Sequence, residues 1–141
     1  MNLLSLITDN VTELLIKIVE FTQLRQKVLT QNIKNMHTPG FVPQDLAVEE
    51  FSEMMNTAIE EHIRNRRLVL CDSENIKLGM AGGLEIRPVA DQCAKEFLEA
   101  GRDSFLEFQV NKIMENSINQ RLAAALLRQR QEAASSLEQA P

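Results

Sequence analysis

The residues that could do chemistry in this chain are few and scattered. His62 follows Glu60 and Glu61, which sets an imidazole beside two acids in sequence. They do not share one helical face at the i, i+4 spacing of helical metal sites, so the group reads as a solvated helix surface. His37 precedes Pro39, where its ring can hydrogen-bond a turn, and the sequence nominates no base or carboxylate to work with it. Cys71 and Cys93 are too few for a disulfide framework and fit no metal-ligand spacing. Whether they would pair in an oxidising compartment stays open. Gly79-Met80-Ala81-Gly82-Gly83 lacks the Lys-Ser/Thr of a phosphate loop and opens no clear helix, so it reads as a turn. Arg64, Arg66 and Arg67 read as a charged helix face, with a polymer contact as the sharper alternative, and Met54-Met55 as packing. No nucleophile, acid and base come together. The expectation is a non-enzymatic chain with no catalytic, cofactor-binding or metal residues.

Composition narrows the partners. Among 141 residues there are six Phe but no Tyr or Trp, which leaves little for an aromatic-lined ligand pocket or a base-stacking platform. A formal net charge of −5 argues against nucleic acid, which selects a basic face. No stretch approaches the roughly 20 apolar residues of a membrane span. The start, Met1 to Ile7, has no basic n-region, and its apolar run is cut by Thr8-Asp9-Asn10 with no small-residue cleavage site after it. If the chain leaves the cytoplasm, the expectation is export without an ordinary cleaved signal.

Two long helices must carry whatever the chain does. Leu4, Ile7, Val11, Leu14, Ile18, Phe21 and Val28 alternate by threes and fours or continue that register, which predicts an amphipathic helix over residues 1–37. The same register places Arg25, Asn32 and Asn35 on the seam, where polar residues weaken packing but fix register. Thr38-Pro39-Gly40 ends the helix, because the residue before proline leaves the helical region and glycine permits the turn. Asn32 and Asn35 are then expected to staple the exit at 38–41, with Phe41 packing down. Residues 42–103 form an irregular middle. It holds a short helix from Leu46 to about Arg67 with Phe51, Met54, Met55, Ile59 and Ile63 on one face, and loops or a small hairpin over 68–90.

A second helix is expected over 104–135, with Leu106, Val110, Ile113, Met114, Ile118, Leu122, Ala125 and Leu126 as its stripe. Steps of four make this stripe drift around the helix and broaden it beyond a strict heptad seam. From Gln129 the sequence turns polar, and residues 136–141 are expected to fray. The fold class predicted is mainly α, with the terminal helices forming a coiled-coil-like pair. Isolated helices are marginal in water, so these two need partners. Pattern alone leaves open whether the partners are each other or other chains.

One run carries a resemblance. Leu24-Arg25-Gln26, then Asn32-Ile33-Lys34-Asn35 and Thr38-Pro39-Gly40-Phe41, is similar to the N-terminal signature of the bacterial flagellar rod, hook and hook-associated axial proteins. In that family an Asn-Ile-Ala-Asn element precedes Thr-Pro-Gly-Tyr. Asp45-Leu46 and the short length most resemble the family's proximal rod members. Val110-Asn111-Lys112-Ile113-Met114-Glu115-Asn116-Ser117 resembles the C-terminal helix of the family. Lys34 stands where the family has Ala, and Phe41 where it has Tyr. The middle segment matches nothing in the family pattern.

The resemblance implies a structural subunit exported through the flagellar type III apparatus. It would polymerise in the periplasm through both terminal helices and transmit torque. Implied partners are other rod subunits, in a homo- and hetero-polymer, and the membrane-ring and export-gate components of the basal body. It also implies a subunit that is partly disordered before assembly. A cytoplasmic helical adaptor or regulator acting through helix–helix contacts is the alternative. It accounts for the stripes but leaves the Thr-Pro-Gly run without a purpose.

Overall fold

The computed structural model describes the backbone of residues 3–138 and the side chains of residues 10–136. It is mainly helical, with a long helix at each end and a small hairpin between them. Helix α1, Leu3–Lys34, runs unbroken because no Gly or Pro interrupts it. It ends in the turn at Thr38-Pro39-Gly40, where Phe41 N–H donates to Thr38 O at 3.1 Å. Gly40 has φ +76°, a conformation that favours glycine over any residue with a Cβ.

The middle holds the expected short helix, α2 (Val48–Asn65), and the expected hairpin, β2 (Ile76–Leu78) with β3 (Leu84–Ile86). It is also more regular than its sequence pattern suggests. A short antiparallel ladder joins β1 (Gln44–Asp45) to β4 (Val89–Ala90), and a nine-residue helix α3 covers Gln92–Ala100. Gly101 separates α3 from α4 (Arg102–Glu138), which continues through the polar run after Gln129 and past residue 136, where fraying was expected. Residues 139–141 of the expected tail lie outside the described residues.

Helix α1 is the centre of the molecule. Against one side pack α2 and the hairpin, with Leu14, Phe21, Leu46, Phe51, Met54, Met55, Ala58 and Ile76 forming the buried core. Phe21 and Phe51 stack with ring centroids 4.0 Å apart. The hairpin is tied down by Lys17, whose Nζ donates to Gly82 O, and by Glu20, which accepts from Leu84 N–H at 3.0 Å. Helix α2 runs antiparallel to α1: Phe51 sits beside Phe21, and His62 Nδ1 lies 3.1 Å from Asn10 Nδ2. Phe51, Met54 and Met55 face α1, whereas Ile59 and Ile63 do not join them and stand 45% and 65% exposed. The helical period explains the correction, because Ile59 and Ile63 lie on the flank shared with Val48 and Ser52, turned away from Phe51, Met54 and Ala58.

Helix α4 packs along another side of α1, also antiparallel. Gln109 meets Asn32 near one end and Asn116 meets Thr22 further along. The two terminal helices thus form the expected pair within a single chain. The face that α4 turns to α1 is not the expected one. Phe105, Gln109, Asn116 and Ala123 are buried, while Val110, Met114, Ile118, Leu122 and Leu126 are 42% to 64% exposed.

Candidate functional site

Two features stand out: a buried polar seam that sets how the chain closes, and an apolar surface that the closed chain leaves uncovered. The seam begins at Asn32. Its carboxamide behaves like a strand partner for Gln44, donating Nδ2–H to Gln44 O at 2.7 Å and accepting Gln44 N–H at Oδ1 at 3.0 Å. The same Nδ2 donates to Gln109 Oε1 at 3.0 Å, so one side chain joins α1, the exit and α4. Asn35 does less: its Nδ2 returns to Gln31 O at 3.0 Å within its own helix. The expected pair of staples is therefore one staple, Asn32, and one local cap, Asn35. Thr38, Pro39 and Gly40 are exposed and Phe41 half-buried, while Pro43 is fully buried below them.

Beside this staple lies a charged cluster. Arg25 grips Asp45 with a fork, Nε to Oδ1 at 2.9 Å and Nη2 to Oδ2 at 3.0 Å. Lys112 Nζ donates to Asp45 Oδ2 at 2.7 Å and to Asp91 Oδ2 at 2.6 Å, and sits 4.7 Å from the Phe108 ring centroid. Asp91 also caps α3, accepting Ala94 N–H at 3.0 Å. Four segments, α1, β1, the start of α3 and α4, thus meet at two cations and two carboxylates. Burial works against the charge on Asp45, yet the hydrogen bonds from Arg25 and Lys112 outweigh it and hold its carboxyl below the usual range. Burial likewise works against the Lys112 ammonium, and its bonds to Asp45 and Asp91 raise it above the ordinary lysine value. This is a structural clasp.

The next lock along the seam is Asn116, whose Nδ2 donates to Thr22 O at 2.8 Å and lies 3.3 Å from Gln26 Oε1. Buried amides of this kind cost little only when their partners are in place, so they favour one register of α4 on α1.

The expected assembly residues divide accordingly. Leu14 and Phe21 are buried in the α1–α2 core, and Val11, Ile18, Val28 and Ile113 are partly buried. The side chains of Leu4 and Ile7 lie outside the described residues. Val110, Met114 and Ile118 stand exposed on the side of α4 away from α1, and further steps of four carry the row round to Leu122 and Leu126, exposed on the flank toward α2. Leu122 and Leu126 also edge a groove of about 350 Å³, whose floor is α1 (Leu15, Ile18) and whose opposite wall is α2 (Val48, Met55). Both cysteines are exposed free thiols, and His37 is exposed. Among the described residues no helix is long and apolar enough to cross a membrane, and no group of three or more His, Cys, Asp or Glu is placed to hold a metal.

Compared with protein-family models, with curated proteins and with solved structures, the chain finds no match in any of the three.

Proposed function

We propose that this chain is a non-enzymatic structural subunit of a bacterial flagellar basal-body rod, of the proximal kind represented by basal-body rod protein B. It would polymerise through its terminal helices to transmit torque. The observation that carries the reading is the outward row on α4. Five large apolar residues, Val110, Met114, Ile118, Leu122 and Leu126, face solvent, while polar Gln109 and Asn116 are buried against α1. An isolated helical hairpin gains by the opposite arrangement, since burying apolar area is the main favourable term and buried amides contribute little net. A long apolar row on the outside supports a surface meant for further protein. The Asn-Ile-Lys-Asn to Thr-Pro-Gly-Phe exit, whose Asn32 staple fixes where β1 and α4 sit, supports placing the chain among the axial proteins. The proposed site is the periplasmic basal body, reached by type III export, with other rod subunits and the ring and export-gate components as neighbours.

The test pairs a biochemical measurement with a cellular one. Ile118→Asp and Met114→Asp should leave the helical circular dichroism and the melting temperature of the monomer unchanged while abolishing concentration-dependent sedimentation and motility. Basal bodies isolated from a strain lacking the chain should lack the rod. A rod that still forms, or variants that swim and assemble normally, would overturn the proposal. Capture of a soluble partner by the same row, without polymer, would favour the adaptor reading.

A further inference from the structure

The groove beside α4 has the form of a vacant helix position. Helices α2 and α4 run parallel to each other on either flank of α1, both antiparallel to it, as the contacts Phe51–Phe21 and His62–Asn10 on one flank and Gln109–Asn32 and Asn116–Thr22 on the other require. Val48, Ser52, Met55, Ile59 and Ile63 follow one another at helical spacing down the α2 wall, at i, i+4, i+7, i+11 and i+15. The first three line the groove, and Ile59 and Ile63 continue the wall beyond it, exposed. Three helices of a bundle are thus in place, with apolar side chains directed at the axis of a fourth.

Charge indicates what fits. Beside this wall, on the solvent side of α2, lie Glu49, Glu53 and Glu60. Between Asn116 and Gln131, α4 carries Arg121, Arg128 and Arg130 and no acid. Arg121 and Arg128 are exposed and flank the outward row of Val110, Met114 and Ile118. Glu53 and Glu60 are seven residues apart, and so are Arg121 and Arg128. Seven residues are two helical turns, so the spacing allows both pairs to form across two packed helices. None of these four side chains has an ion-pair partner among the described residues.

We infer that the occupant is α4 of a second copy of this chain, its outer row seated in the groove and its Arg121 and Arg128 facing Glu53 and Glu60. This rests on the self-assembly reading above and names the surface that receives the row. The two surfaces differ, so the contact is head-to-tail. Each copy offers both a groove and a row, and repetition of such a contact gives an open polymer instead of a closed dimer.

The test uses the full chain. In a Cys71→Ser, Cys93→Ser background, one preparation carries Ile59→Cys and another Ile118→Cys. Mixed and oxidised, the two should give a disulfide-linked dimer containing one of each, and neither alone should cross-link. Separately, Glu53→Arg with Glu60→Arg should raise the concentration needed for assembly roughly tenfold. Adding Arg121→Glu and Arg128→Glu to the same chain should restore it. If Ile118→Cys links to itself while Ile59→Cys stays out, or the acidic-row reversal leaves assembly unchanged, the groove assignment is overturned and self-assembly through the row stands. If the unsubstituted chain stays monomeric at all concentrations, both fall.

Discussion

Asp45 shows how a single side chain can decide whether the ends of this chain meet. It takes bonds from Arg25 on α1 and Lys112 on α4, and breaking this buried set leaves Arg25 without a carboxylate and Lys112 with Asp91 alone. Asp45→Ala is expected to lower the free energy of unfolding by about 3–5 kcal/mol, read from urea denaturation. The pH dependence follows from the direction of its shift. A carboxyl held below its unfolded value stabilises fully above that value, about pH 4, and the contribution is lost as the pH falls through the folded value. Unfolding free energy measured down from neutrality should therefore drop below about pH 4, and Asp45→Asn should flatten that part of the profile. Asn32→Ala removes a donor and an acceptor from Gln44 and a donor from Gln109, and should cost about 1–3 kcal/mol in the same measurement. Asn35→Ala, which removes a local cap bond, should cost less. The sequence made Asn32 visible through its seam position and the turn that follows. It could not separate Asn32 from Asn35, because that depends on where Gln44 returns. Nor did it give Asp45 or Asp91 a role, since their partners lie 20 to 67 residues away.

At the scale of elements, periodicity found both terminal helices and the short helix of the middle, because apolar spacing is a local property. It could not say what each stripe faces. On α4 the largest apolar row points outward, and the inward face is built from Phe105, Ala123 and amides bonded across the seam, Gln109 through its Oε1 alone, a pattern with no signature in hydropathy. Helix α3 escaped notice for a related reason: only Ala94 on it is fully buried. Its one local signal was Asp91, an N-cap residue just after Pro88 and ahead of Gln92. The division into inward and outward faces gives a prediction. Leu14→Asp buries a charge in the α1–α2 core and should unfold the chain, so loss of assembly in that variant would say nothing about contacts. Ile118→Asp changes an exposed position and should shift the melting transition by no more than about 0.5 kcal/mol equivalent. Thermal melts of the two, recorded side by side, check the distinction.

Taken whole, the molecule is anchored unevenly. The core of α1 with α2 and the hairpin, the Arg25–Asp45–Lys112–Asp91 clasp and the Asn116 lock all lie between the exit turn and the level of Ala123. Beyond Ala123 no described residue of α4 is fully buried, and Leu127, Arg130 and Ala134 are only partly covered. Local stability follows buried contacts, so amide exchange should be slowest from Leu15 to Asn32 and from Phe105 to Ala123. The amides from Gln129 to Glu138 should exchange far faster in the monomer. The expected partial disorder before assembly would then lie at this end of α4, with the waist closed. If neighbouring copies complete the packing around α4, polymerisation should slow exchange over 129–138 and along Val110, Met114 and Ile118 together, while leaving the waist as it was. Exchange measured by mass spectrometry on monomer and polymer separates the cases. Protection gained only in the waist would mean that association proceeds by tightening the closed chain, and the outward row on α4 would then need another explanation.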